Sequence, residues 1–142
     1  MNLAVKEAIT RAVANEPFAR QLDISLTALD DGYSRVEMTY DPVRMDNIYS
    51  RAHGGALFGL IDEAFETAGQ TDGTIAVALN VNVSYVASPD PGLRLIAEAR
   101  RTSQTRKTAG YAISVHDENG RLVATCQALA YRTGKPIPFL KS

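Results

Sequence analysis

His53-Gly54-Gly55-Ala56-Leu57-Phe58-Gly59-Leu60-Ile61-Asp62-Glu63-Ala64-Phe65-Glu66-Thr67-Ala68-Gly69 is the longest segment of the chain with a helical apolar period. At about 100° per residue, Leu57, Phe58, Leu60, Ile61, Ala64, Phe65 and Ala68 fill one broad arc, and Gly59, Glu63, Glu66 and Thr67 fill the other. Asp62 falls on the border, next to Phe58. Glu63 and Glu66 therefore read as solvated or paired surface groups. Asp62 lies against apolar surface, where desolvation raises a carboxyl pKa and its basicity. Two glycines in the first helical turn cost stability, but they let a ligand or a packed strand approach the free backbone N–H groups. Those donors and the helix dipole favour a developing negative charge.

Spacing adds a constraint. Gly54 and Asp62 are eight residues apart, roughly 12 Å along a helix axis, whereas a base or nucleophile and an oxyanion donor must both reach one carbonyl within about 3 Å. One copy of the helix cannot supply both. Two antiparallel copies can, which makes a symmetric homodimer the simplest active unit.

Outward from the helix, the flanking segments read as strands. Ile75, Val77, Leu79, Val81, Val83 and Tyr85 alternate with polar or small residues and mark a long strand. Ser88-Pro89-Asp90-Pro91-Gly92 is a turn, Leu93 to about Arg101 a strand, and Ala109, Tyr111, Ile113 and Val115 alternate again. Asn119-Gly120 is a tight hairpin turn leading to a last strand from Leu122 to about Tyr131. Before the helix, Leu22, Ile24 and Leu26 and then Val36, Met38 and Tyr40 form a hairpin around Asp30-Asp31-Gly32, and Asp41 to Ala52 reads as a loop. Val5, Ala8, Ile9, Ala12 and Val13 predict an amphipathic helix over residues 3–15 that stops before Pro17. The tail after Gly134, with Pro136 and Pro138, reads as loose. Short turns demand an antiparallel sheet, so the class is α+β: about six strands wrapped around one long helix, with an N-terminal cover helix. The whole of 1–142 reads as one domain, with 1–20 a helical segment and 134–142 a tail.

Composition narrows the function. The 142 residues carry a net charge of −1 with 22% charged residues, which gives no electrostatic case for nucleic acid or an anionic membrane surface. One cysteine, Cys126, and two histidines, His53 and His116, leave no spaced ligand set for a metal and no intrachain disulfide. Cys126 alternates inside a strand and reads as a small core residue. No apolar run has the length of a membrane helix and the start lacks a signal-peptide pattern, so the expectation is a soluble cytoplasmic protein.

Asn47 six residues before His53-Gly54-Gly55, Asp62 nine after that histidine, Ala64, Ala68 and a long strand ending near Ser84-Tyr85 together resemble the hotdog-fold acyl-CoA thioesterases, of the phenylacetate-degradation (PaaI-like) branch. The resemblance spans nearly the whole chain. It implies that Asp62, from the partner subunit, is the general base or nucleophile, that the Gly54 N–H binds the thioester oxygen, that Asn47 places the water or the carboxylate, and that His53 orients the loop and helix start. It implies an aryl- or medium-chain acyl-CoA as substrate, coenzyme A being part of the substrate rather than a bound cofactor, and a homodimer assembled further into a tetramer. Some relatives carry a hydroxyl at the position of Ala78; Asn80, Asn82 and Ser84, read as sharing its strand face, are the candidates to replace it. Gly55, Met45 and Phe58, with Ile48, Tyr49 and Phe65, are pocket-lining candidates. Arg106 and Lys107, grouped with Arg100, Arg101, Arg132 and Lys135, suit the coenzyme A phosphates or, equally, a solvated rim. A hotdog hydratase or dehydratase using His53, and a non-catalytic acyl-CoA binding or sensing module, are the alternatives.

Overall fold

A computed structural model describes residues 1–140. Helix α1 (Leu3–Ala14) begins where the Asn2 side chain accepts a hydrogen bond from the Val5 N–H at 3.2 Å, and it buries Val5, Ala8, Ile9 and Val13. Pro17 ends α1 but does not end the helical segment. It occupies the first turn of a second short helix, α2 (Pro17–Gln21), where its missing N–H and fixed φ cost nothing. Strands β1 (Ser25–Asp30) and β2 (Tyr33–Thr39) form a hairpin closed at Gly32, whose φ of 62° suits glycine. The next loop contains one helical turn, α3 (Pro42–Met45), which the aperiodic sequence did not signal. The central helix α4 (Gly54–Ala68) is followed by β3 (Thr74–Tyr85), β4 (Arg94–Gln104), β5 (Thr108–Asp117) and β6 (Leu122–Pro136).

The six strands form one antiparallel sheet in the order β1-β2-β4-β5-β6-β3. Leu57, Leu60, Ile61, Ala64, Phe65 and Ala68 of α4 are buried on its concave side. Small residues (Ala97, Ala99, Ala109, Ala128 and Ala130) line the same core and allow the helix to approach closely. Phe65 meets Tyr111 edge to face, ring centroids 5.5 Å apart.

Of the expected polar arc of α4, Glu66 is exposed as read, but the rest is not solvated. Gly59, Glu63 and Thr67 are all buried, because the N-terminal helices and β2 close over that side. A Cβ at Gly59 would stand 3.0 Å from the Phe18 ring and 3.2 Å from Leu22, so glycine is what lets α2 lie against α4. The Thr67 hydroxyl shares a 2.6 Å hydrogen bond with Ser34 of β2. The reading of Glu63 as a surface group is thereby corrected.

The tail is docked rather than loose as far as it is described. β6 runs to Pro136, Ile137 is 2% exposed and donates its N–H to the Gly73 carbonyl at 3.0 Å, and a 3-10 turn follows over Pro138–Leu140. The last two residues of the expected tail, 141–142, lie outside the described residues. Among the described residues no helix is long and apolar enough to cross a membrane.

Candidate active site on the central helix

The start of α4 is held by its own flanking residue. His53 has extended backbone (φ −66°, ψ 133°) and its Nδ1 accepts the Gly55 N–H at 2.8 Å, while its carbonyl accepts from Ala56 at 3.0 Å. His53 is thus an N-cap, with Nδ1 unprotonated and Nε2 carrying the hydrogen of a neutral ring. The Gly55 N–H is consumed in that cap, so it is not free for a substrate. The Gly54 N–H has no acceptor among the described residues and points out from the positive end of the helix. Glycine at position 54 has a second reason: the Tyr85 hydroxyl donates to the Gly54 carbonyl at 3.0 Å, and a Cβ there would lie 3.2 Å from the tyrosine ring.

The loop before the helix is equally organised. Asn47 Oδ1 accepts the N–H groups of Tyr49 (2.9 Å) and Arg51 (3.1 Å), and the Asn47 N–H donates to the Arg51 carbonyl at 2.7 Å. The loop is cinched by the His53 N–H on the Met45 carbonyl, 2.7 Å, and by Tyr40, whose buried hydroxyl donates to Asp46. Asn47, Arg51, Gly54, Leu57, Tyr85 and Ser88 border a common cavity of about 370 Å³. Arg51 Nε donates to the Ser88 hydroxyl at 2.9 Å, which places a cation at the rim. Met45 itself is 2% exposed, belongs to the core beneath the loop and borders neither this cavity nor the recess at Asp62. Arg51 and Tyr85 are the residues of this region that the sequence reading missed. Tyr85 ends a strand in contact with the helix start only in three dimensions, and Arg51 sits in a segment without periodicity.

Asp62 lies elsewhere. It borders a recess of about 230 Å³ with Phe65, Glu66, Gly69, Ala76, Val77, Ala78 and Ala130. The residue is exposed in the single chain, yet enough protein surrounds its carboxyl that desolvation, with the Glu16 charge second, raises its pKa. No hydrogen bond to its carboxylate is found among the described residues. Gly54 and Asp62 thus open into separate cavities of one chain. Phe58, 37% exposed, borders neither of these cavities.

The strand beside Asp62 departs from simple alternation. Ala78 pairs with Ala130, but Asn80 pairs with Leu129, so Leu79 is bulged out. A bulge reverses the faces of everything beyond it. Val81, Val83 and Tyr85 face inward with Ala128, Cys126 and Ala124, whereas Asn80, Asn82 and Ser84 face outward with Leu129, Gln127 and Thr125. The three polar residues are therefore on the opposite side of the sheet from Ala78 and Asp62, which corrects the expectation that they share its face. Cys126 is 4% exposed in the core as read, and burial pushes its thiol pKa up.

The basic residues divide. Arg101 pairs with Asp31 at 3.0 Å, Arg132 with Asp72 at 3.0 Å, and Arg100 stacks on Tyr33 at 4.5 Å. Arg106 and Lys107 stand at the β4–β5 turn, with Lys107 5.8 Å from the Tyr131 ring centroid. Tyr131 pairs with Val77, whereas Tyr85 pairs with Ala124. The turn thus lies at the end of the sheet opposite the Gly54 cavity of the same chain.

Residues 49–124 match the thioesterase superfamily. The chain is 31% identical over 123 residues to the acyl-coenzyme A thioesterase PaaI of Escherichia coli K12, covering 87% of each protein. The structure of the E. coli PaaI protein from the phenylacetic acid degradation operon superposes with a TM-score of 0.89 at 28% identity, covering 94% of this chain and 96% of that one. A variant of the phenylacetic acid degradation protein PaaI of Thermus thermophilus gives 0.77 at 33% identity, covering 82% and 99%.

Proposed function

Because the chain belongs to the thioesterase superfamily, with the PaaI-like hotdog fold and the activity class of a thioester hydrolase, we propose that it hydrolyses an aryl- or medium-chain acyl-CoA to the free acid and coenzyme A at a site shared by two chains. The observation that carries this reading is the separation of the two half-sites. The unused Gly54 N–H and Asn47 border one cavity, and the raised-pKa carboxyl of Asp62 borders another. Eight residues of helix, roughly 12 Å, keep them from meeting within one chain.

The edge strand supports a dimer. β3 is an outermost strand of 12 residues, and Val77, Leu79, Tyr85 and Val86 are each about half exposed, at 48%, 55%, 53% and 55%. A long apolar edge left unpaired is an aggregation hazard. Pairing it with its symmetry mate covers the edge and brings the helix start of one chain toward Asp62 of the other. A tetramer would add nothing this site requires.

In the reaction, the thioester carbonyl oxygen lies on the Gly54 N–H, where the helix dipole favours the charge that develops on attack. The partner's Asp62 either takes a proton from the attacking water or attacks the carbonyl carbon itself. In both routes the C–S bond breaks and coenzyme A leaves as the thiol. Asn47 holds the loop that forms the cavity wall and leaves its amide N–H groups available to the water. Arg51 offers a cation at the mouth for a phosphate. Arg106 and Lys107 can serve the same end only from the other chain. Phe58 and Phe65 are the aromatic candidates for the acyl pocket. The capping of His53 through Nδ1 leaves it one nitrogen, which fits a positioning role better than the acid–base role a hydratase would require.

The test is release of free thiol from a panel of aryl-acyl and straight-chain acyl-CoAs, on the native protein and on Asp62→Asn. Hydrolysis that depends on Asp62 is expected. Binding of CoA esters without turnover would overturn the reading in favour of a sensing module.

A further inference from the structure

Where the N-terminal helices meet α4, three carboxyls that thioester hydrolysis does not use come together: Glu63 buried, Glu16 half-buried and Glu66 exposed. Glu63 and Glu66 lie one turn apart on the helix, and Glu16 reaches them from the junction of α1 and α2. One carboxylate oxygen of each lies within 4.8 Å of the others. Glu16 stands at the N-cap position of α2 without making a capping hydrogen bond. Glu63 is 2% exposed, and its Oε1 has no hydrogen-bond partner among the described residues. No ion pair found among the described residues reaches any of the three. A buried carboxyl oxygen with no partner is costly, and three carboxyls facing one another add mutual repulsion whenever more than one is ionised.

We propose that Glu16, Glu63 and Glu66 form a site for a hard divalent cation of the Ca²⁺ or Mn²⁺ class, which fastens the N-terminal helices to the central helix. The spread of the oxygens is compatible with it. Ligands about 2.3–2.6 Å from a central calcium ion can stand up to roughly 5 Å apart, whereas the smaller shell of Mg²⁺ demands a tighter set. Donor chemistry agrees: three carboxylates, with no thiolate or imidazole, select hard cations. The remaining coordination positions have somewhere to go. Glu16 and Glu66 border a cavity of about 230 Å³ between α1 and α4, together with Thr67, Gln70 and Phe139, which is roomy enough for bound water. Glu63 closes the site from within the core, and its unpartnered Oε1 is the atom a cation would satisfy. The occupant links residues 47 positions apart, Glu16 and Glu63, across the contact that holds the cover in place.

Mn²⁺ is the probe, used on the full chain after chelation and desalting. Saturable binding at a single site per chain is expected by calorimetry and by loss of the free-ion paramagnetic resonance signal. Ca²⁺ should displace it, the thermal midpoint should rise, and amide exchange in α1 should slow. Glu63→Gln should abolish binding. Glu16→Gln, at a half-buried position where folding is not at stake, should weaken it by roughly tenfold or more. No saturable binding at millimolar Mn²⁺ or Ca²⁺ would overturn the proposal and leave protons shared among the three carboxyls as the occupants. Binding retained unchanged in both variants would overturn it equally, since the ion would then sit elsewhere.

Discussion

Asp62 and Glu63 are adjacent on α4, yet the first opens onto a recess lined by Phe65, Ala76 and Ala78, while the second is sealed beneath the N-terminal helices. Burial raises the pKa of both. For Asp62 the next contribution is the charge of Glu16; for Glu63 it is a hydrogen bond with Glu16. The difference lies in access. A basic carboxyl facing a cavity can receive a substrate or a water, and one locked in the core can only hold a proton or an ion. A perturbed titration therefore does not by itself identify a catalytic group.

The most direct way to break this comparison is to exchange the effects. Asp62→Asn should lower kcat by about 10²–10⁴ with little change in the thermal midpoint. Glu63→Gln should do the reverse: thiol release close to native, and in chelating buffer a fold stabilised by about 1 kcal/mol, because a buried acid without full partners is replaced by a neutral amide. Steady-state thiol release and thermal unfolding on the two variants decide it. If Glu63→Gln were the inactive one, the assignment of the two sides would be wrong.

At the other end of the helix, Gly54→Pro deletes the N–H while keeping a residue suited to the first helical position, and the extended backbone of His53 tolerates a following proline. A loss of about 10²–10³ in kcat is expected. Gly54→Ala is the control. It brings the same crowding of Tyr85, at 3.2 Å, but retains the donor, so its loss should be much smaller.

The cover comes next. Phe18 is 47% exposed yet its ring lies where a Cβ on Gly59 would meet it. Phe18→Ala should cost about 1–2 kcal/mol of stability, measured by denaturant unfolding, and should leave the Asp62 recess working.

The smallest effect expected is on pH. The folded pKa of Asp62 is raised, so the acid limb of kcat/KM should have its midpoint above the ordinary carboxyl value, with activity rising as pH rises through it. In chelating buffer Glu16→Gln removes a negative charge that holds this pKa up, and should move the limb toward lower pH by a fraction of a unit. A shift toward higher pH would have the wrong sign.

Much of this was legible in the residues. The 3.6 period of α4 and the alternations of β2, β5 and β6 are local properties, and they specify the layers. The border position of Asp62 follows from the same wheel. What failed to show was set by distant packing. Glu63 reads as polar surface because nothing near it in sequence announces that Phe18 and Leu22 will pack at Gly59, one turn away, and that Glu16 will face Glu63 itself. One bulged residue, Leu79, moves Asn80, Asn82 and Ser84 to the far side of the sheet, and no composition signal marks it. Met45 looks like a pocket residue until the loop folds down over it, and Ile137 looks like part of a loose tail until it pairs with Gly73.

The measurement that bears most directly on the two-chain site is complementation. Asp62→Asn and Gly54→Pro proteins, each inactive alone, would be mixed, exchanged through mild denaturation, and checked for mixed dimers by native mass spectrometry. A mixed dimer holds one site with both groups intact, so a statistical mixture should recover about a quarter of native thiol release. Confirmed mixed dimers with no recovered activity would contradict the shared site, and with it the separation of Gly54 and Asp62 as the reason this chain needs a partner.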